Sequence, residues 1–167
     1  MKAPALVIIK PEGLYRSLVG GIINKFSETG LELIALKLVD VPKERAEEHY
    51  KQLKDQPFFN GVINHLMGKY HNGCRVVAMV YYGHDAIKKC RRVAGATNPE
   101  EADPKSIRGS FGRITKKGIF ENVVHVSSDA EEAKREIRLW LEPEDFSYIP
   151  YISKKIKINN VQKRVWK

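Results

Sequence analysis

Ala5-Leu6-Val7-Ile8-Ile9 is an unbroken, largely β-branched run that stops at Lys10-Pro11 and Gly13. That pattern predicts a buried strand and a turn. Leu18, Val19, Ile22, Ile23 and Phe26 then recur at helical spacing until Gly30. Leu31 to Val41 alternates as a second strand. Pro42 opens a helical stretch from Lys43 to Leu53, and Pro57 opens another, with Phe58, Val62, Ile63 and Leu66 on its apolar side. After a polar loop from Gly68 to Gly73, Val76 to Tyr82 reads as a third strand and Ala86 to Val93 as a helix. Gly95 to Arg108, with Asn98-Pro99 and Pro104, reads as a long structured loop, and Lys116-Lys117-Gly118 as a turn. Asn122 to Val126 is a fourth strand. Ser128 with Glu131 offers a capping box for a last helix ending near Leu141.

This order is β-α-β-(αα)-β-α-loop-β-α. Its outer pattern is the βαββαβ of the ferredoxin-like fold, an α+β arrangement in which helices cover a four-stranded antiparallel sheet. Many chemistries use that fold, so the side chains must supply the function.

Composition narrows the class. The chain has 167 residues, 43% hydrophobic and 29% charged, which fits one folded domain and argues against disorder. No apolar run approaches the roughly 18 residues of a membrane span, and the N-terminal run is too short for a signal-peptide core. Cys74 and Cys90 lack C-x-x-C spacing, so the cysteines imply neither a disulfide framework nor a zinc site. The expectation is a soluble, cytoplasmic protein with no membrane partner.

The net charge of +9 lies mostly at one end. Lys154, Lys155, Lys157, Lys163, Arg164 and Lys167 fall in residues 153–167 with no acid among them. Residues 1–152 therefore read as the domain, nearly charge-balanced, and 153–167 as a basic tail. Such a tail touches nucleic acid or acidic surfaces in some proteins; more often it is a solvated extension or a subunit contact.

Some residues fit core packing poorly. On the last helix Ala133, Ile137, Trp140 and Leu141 form the apolar stripe, with Glu136 on its edge and no cation three or four positions away. His125 lies at the end of the fourth strand, where alternation places it with Val123 on the face opposite Val124 and Val126. A histidine whose second nitrogen is held by a carboxylate has a fixed tautomer and can act as a nucleophile. Lys10, Arg91 and Arg108 stand near element ends, where they could converge on phosphates. Neither G-x-x-x-x-G-K-[ST] nor G-x-G-x-x-G occurs, which excludes P-loop and Rossmann nucleotide binding.

Several motifs occur together in order: Ile8-Ile9-Lys10-Pro11-Glu12-Gly13, Glu48-His49-Tyr50, Pro57-Phe58-Phe59, Gly95-Ala96-Thr97-Asn98-Pro99, Ile107-Arg108-Gly109 and Asn122-Val123-Val124-His125. The last continues through Ser127, Glu131 and Ala133 to Arg135-Glu136-Ile137. Over about residues 5–141 the sequence resembles the nucleoside diphosphate kinase family. The resemblance implies ping-pong transfer of a γ-phosphate from a nucleoside triphosphate such as ATP to a nucleoside diphosphate, through phosphorylated His125. It implies that Glu136 orients the imidazole with help from Ser127, and that Lys10, Tyr50, Arg91, Thr97 and Arg108 handle phosphates. Asn122 and Lys10 match groups that contact sugar hydroxyls, and Phe58 the aromatic on which the base stacks. Mg2+ is implied as a cofactor carried by the nucleotide phosphates rather than by protein ligands. A homo-oligomer is implied, a hexamer ahead of a tetramer.

Three features depart from the family pattern. Val126 stands where glycine is usual, and an altered rate is expected from it. About four extra residues lie near Lys116 to Phe120, and the loop from Gly68 to Cys74 is about five residues longer than usual. The rival readings are an impaired family member that only binds nucleotide, and a nucleic-acid-binding module using the basic tail.

Overall fold

The computed structural model describes residues 2–71, 73–116, 118–158 and 161–167. The chain runs β1 (Lys2–Ile9), α1 (Pro11–Tyr15), α2 (Val19–Ser27), β2 (Glu32–Asp40), α3 (Lys43–His49), α4 (Phe59–Leu66), β3 (Arg75–His84) and α5 (Ala86–Ala94). It continues through α6 (Ile107–Phe111), β4 (Arg113–Ile114), β5 (Phe120–Glu121), β6 (Val124–Val126), α7 (Ala130–Trp140), β7 (Ser153–Ile158) and β8 (Val161–Trp166). Single 3₁₀ turns cover Lys51–Leu53, Pro99–Glu101 and Pro143–Asp145.

Four strands form one antiparallel sheet in the order β2-β3-β1-β6, the ferredoxin-like arrangement. β1 is central, and Ala5 to Ile9 have no exposed surface because both faces are covered. Leu6 and Ile8 pack with Val76, Ala78, Val80, Ile63, Ile137 and Trp140 on one face. Ala5, Val7 and Ile9 pack with Val77, Met79, Tyr81, Ile22, Phe26 and Cys90 on the other. A continuous apolar run is what a strand between two cores requires, at about 1.5–3 kcal/mol for each large aliphatic side chain buried.

Several local expectations change. α4 begins at Phe59, leaving Phe58 exposed at its start instead of on the apolar side. The segment 95–108 holds a 3₁₀ turn capped by the Asn98 side chain, and it runs into α6, where Ser106 Oγ accepts from Gly109 N. The cap of α7 is Asp129, whose carboxylate accepts from Glu132 N, while Ser128 donates to Asp129 and forms no box with Glu131. Asp is at least as good a cap as Ser, so the helix starts one residue later.

Val123 does not share a face with His125. Its φ of +55° interrupts the strand period, and it joins Val124 and Val126 in the same core. A β-branched residue in that region is strained, and two bonds hold it. Lys10 N donates to Val123 O at 2.9 Å, and Val123 N donates to Glu12 Oε1 at 3.0 Å.

The described residues of both longer segments meet the body: His71 is buried, and Gly118 to Phe120 line a cavity. Lys116 and Gly118 join β4 to β5; Lys117 of the expected turn lies outside the described residues, as does Asn72 of the other loop. Residues 153–167 carry the hairpin β7-β8. The Trp166 indole N–H donates to Leu141 O at 2.9 Å, and its ring packs edge-on against Phe146 and Tyr151. Lys154, Lys155, Lys157 and Lys163 remain exposed. Among the described residues no helix is long and apolar enough to cross a membrane.

Candidate active site

β6 pairs with β1 so that His125 lies opposite Ile8, on the sheet face covered by α7. One helical turn before Trp140, α7 presents Glu136, which is 1% exposed. Its Oε1 lies 2.8 Å from His125 Nε2, and its Oε2 accepts from Ser127 Oγ at 2.5 Å. An ionised carboxylate only accepts, so the bond places the imidazole proton on Nε2 and leaves the lone pair on Nδ1. Nδ1 has no hydrogen-bond partner among the described residues. The ring is partly exposed to a cavity of about 670 Å³ that it lines.

Behind this pair stands His49, fully buried, its ring centroid 4.4 Å from that of His125 in an edge-to-face arrangement. Trp140 Nε1–H donates to His49 Nδ1 at 3.1 Å. Burial pushes the His49 pKa well below the usual imidazole range, and nearby His125, Arg135 and Lys10 push the same way. His49 is therefore a neutral wall behind His125. Arg135 places it: Nη1 donates to Glu48 O and Nη2 to His49 O, closing the C-terminal carbonyls of α3 while the guanidinium pairs with Glu132.

Cations reach the same cavity from three elements: Lys10 after β1, Arg91 on α5 and Arg108 on α6. Lys10 Nζ donates to Asn122 Oδ1 at 2.7 Å, and Asn122 Nδ2 donates to Thr97 O at 3.0 Å. Burial lowers the Lys10 pKa, Arg108 adds to that, and Glu12 opposes it. Arg108 donates from Nη1 to Gly95 O and from Nη2 to Val124 O, so its guanidinium is fixed before any ligand arrives. Burial brings its pKa down to about 10, which leaves it charged at neutral pH. Gly95 makes this possible: at φ +87° a Cβ would stand 2.2 Å from Ser106 Oγ, so only glycine lets the chain turn beneath α6. Burial raises the Tyr50 pKa further above its usual value, keeping a protonated phenol at the cavity wall. Phe58 is 53% exposed at the same cavity.

Lys10, Tyr50, Phe58, Arg91, Thr97, Arg108, Asn122, His125 and Glu136 all line this one cavity. Ser127 is buried and meets it only through Glu136. Val126 takes an ordinary strand conformation, with its side chain in the Val7 core and at the cavity edge. Sequence reasoning gave no role to His49, whose place at a helix end resembles that of any capping histidine. It also left open whether the inserted turn reaches the cavity; Gly118, Ile119 and Phe120 line it.

A family model described as nucleoside diphosphate kinase matches residues 4–146. The chain belongs to the nucleoside diphosphate kinase family. Among relatives, a nucleoside diphosphate kinase of Aspergillus fumigatus is 40% identical over 139 residues, 83% of this chain and 85% of that protein. Among solved structures, the nucleoside diphosphate kinase of Halobacterium salinarum in complex with CDP aligns with a TM-score of 0.79 at 31% identity, over 89% of this chain and 93% of that one. The Borrelia burgdorferi enzyme, a transition-state mimic with vanadate and ADP, aligns with a TM-score of 0.78 at 28% identity, over 88% and 91%. This is a family of phosphotransferase enzymes that use nucleoside tri- and diphosphates, and the present chain shares its fold over the whole catalytic body.

Proposed function

We propose that this chain is an active nucleoside diphosphate kinase in which His125 Nδ1 carries the phosphoryl group between nucleotides. The observation that carries the reading is the Glu136 bond to Nε2, which leaves Nδ1 as a lone-pair donor at a cation-lined cavity. In the first half-reaction Nδ1 attacks the γ-phosphorus in line. The bond from phosphorus to the β–γ bridging oxygen breaks, and its electron pair leaves with the nucleoside diphosphate. The imidazolium that forms is balanced by Glu136. The second half-reaction reverses these events: a terminal phosphate oxygen of another diphosphate attacks the phosphorus, and the N–P bond breaks with its electron pair returning to Nδ1. Such transfer depends on positioning and charge neutralisation. Lys10, Arg91 and Arg108 supply charge, with Tyr50 and Thr97 as hydroxyl donors. Asn122 and Lys10 bind the sugar, and Phe58 stacks on the base, a contact every base can make.

Mg2+ suits this site as a passenger of the nucleotide phosphates, where it would neutralise part of their charge. The cavity carboxylates are already committed, Glu136 to His125 and Ser127 and Glu132 to Arg135, so the nucleotide phosphates rather than protein carboxylates would hold it. Self-association fits β2, an edge strand of the sheet with Leu33, Leu36 and Leu38 exposed; light scattering on the full chain distinguishes hexamer from tetramer. A cytoplasmic location belongs to the same reading. Nucleic-acid contact through the basic hairpin 153–167 is tested by comparing polynucleotide binding with and without that segment.

The deciding experiment gives the protein γ-labelled ATP without acceptor, on wild type and His125→Ala. Acid-labile, alkali-stable label on wild type alone, discharged by added GDP, is expected. Absence of label with nucleotide still bound would overturn the reading and favour an impaired, nucleotide-binding family member.

A further inference from the structure

A second histidine–carboxylate cluster lies outside the reacting groups. Glu12 from α1, His65 from α4, His71 from the longer 68–74 loop and Glu121 from β5 are all buried. Glu12 Oε2 is 2.9 Å from His65 Nε2, and Glu121 Oε1 is 3.4 Å from His71 Nε2. One ligand atom each from Glu12, His65 and His71 lie within 4.8 Å of one another. The other oxygen of each carboxylate is occupied: Glu12 Oε1 by Val123 N–H, Glu121 Oε2 by Arg113. Both acids are thus oriented by the protein with one oxygen left toward the imidazoles, the arrangement that outer partners give to metal ligands.

A hydrogen-bond network alone does not account for His71. The residue is 9% exposed, and its buried Nε2 has no hydrogen-bond partner among the described residues. Buried polar nitrogens without partners are rare, and an ion that takes the lone pair is one way to satisfy them. Gly68 builds the loop that delivers it: at φ +70° its carbonyl accepts from His71 N, and a Cβ there would collide with Gly73 O. Two imidazoles with carboxylate suit Zn2+, whose bonds to nitrogen and oxygen are about 2.0–2.2 Å. Two glutamates offset the charge of a divalent ion.

We propose that Glu12, His65 and His71 bind one Zn2+, with Glu121 beside His71 as the second negative charge. The cysteines, whose spacing argues against zinc, take no part. The ion ties both extra segments to the body: the 68–74 loop through His71, and the β4-β5 hairpin, whose Gly118 to Phe120 wall the nucleotide cavity, through Glu121. Its four side chains come from three separate parts of the sequence, so no short motif announces it.

The test uses the full chain stripped with a strong chelator, without nucleotide, titrated with ZnCl2 by calorimetry and checked for metal content. Wild type, Cys74→Ser and His125→Ala are each expected to bind one Zn2+ per chain and to melt at higher temperature with it. His71→Ala is expected to bind more than about 100-fold more weakly, beyond the 10–100-fold that loss of an orienting partner costs. It should also lose the melting shift. His71→Gln serves if the alanine variant does not fold. Zinc X-ray absorption should report two imidazoles. Absence of stoichiometric zinc, undiminished binding in the His71 variants, or binding lost in His125→Ala would each overturn the proposal; the last would place the ion on His49, His125 and Glu136.

Discussion

Two buried glutamates in this protein hold histidines at almost the same distance, Glu136 with His125 at 2.8 Å and Glu12 with His65 at 2.9 Å. What surrounds each pair makes them different. His125 is partly exposed and keeps one nitrogen unpartnered at a cavity lined with cations, while the spare oxygen of Glu136 takes a single hydroxyl. His65 is buried, and the spare oxygen of Glu12 holds the backbone of Val123 in its strained turn. The His65 bond and the Lys10 charge outweigh burial and hold the Glu12 carboxyl below its usual pKa. In the proposed function, reactivity comes from one lone pair left open to a ligand. The same kind of pair, with its histidine buried and both carboxylate oxygens bonded, braces the structure that presents it.

The strongest way to separate the two clusters is to change each glutamate. Glu136→Gln keeps the shape but lets the amide donate to Nε2, which favours the tautomer with its proton on Nδ1. By analogy with loss of tautomer control in serine proteases, kcat should fall by about 10³–10⁴-fold with little change in KM. Rapid-quench measurement of phosphoenzyme formation checks this; a fall under tenfold would mean that Glu136 does not select the nucleophile. Glu12→Ala should register chiefly as stability. It leaves Val123 N–H and His65 without an acceptor inside the protein, at a cost of about 3 kcal/mol. Urea unfolding in the presence of chelator measures it without any contribution from bound ions, and a loss below about 1 kcal/mol would remove Glu12 as the brace of that turn.

A smaller effect sharpens the first cluster alone. Ser127→Ala removes the hydroxyl from Glu136 Oε2 but leaves the bond to His125 in place. Outer partners of this kind are worth about 10–100-fold, so kcat should fall within that range and KM should stay near wild type. Steady-state kinetics with saturating diphosphate is sufficient. A fall as large as that of Glu136→Gln would mean that Ser127 acts on the reacting groups directly.

The two clusters also differ in how far the sequence announces them. Glu136 and His125 stood out because each violated a local pattern, a carboxylate on an apolar stripe and a histidine in a valine strand. The four-stranded sheet was equally legible, since both the continuous run of β1 and the helical spacing of α2 report burial directly. Val123 was not, because a single left-handed residue shifts the alternation without changing composition. α6 was hidden by its five-residue length within a loop rich in proline and glycine. His65 and His71 read as ordinary polar residues on a helix and in a loop. Only the packing of α4 and of the longer 68–74 loop against α1 places them beside Glu12, and no periodicity records contacts between such distant positions.

His49 tests whether a histidine inside the catalytic cluster can itself be structural. In the folded chain its pKa lies well below the imidazole range, chiefly through burial. In the unfolded chain it is about 6.5. As pH falls through about 6.5 the unfolded chain gains a proton at this position that the folded chain refuses, so stability is lost on the acid side and fully present above it. His125, Arg135 and Lys10 reinforce that refusal, whereas Glu136, 3.8 Å from Nδ1, opposes it. Asn at this position keeps an acceptor for the Trp140 indole but cannot titrate. Urea unfolding at pH 7.5, 6.5 and 5.5 should show wild type losing up to about 1.4 kcal/mol per pH unit more than His49→Asn below pH 6.5. Equal slopes in the two proteins would assign the acid sensitivity to other groups, and would leave His49 as a packing residue whose neutrality costs the fold nothing.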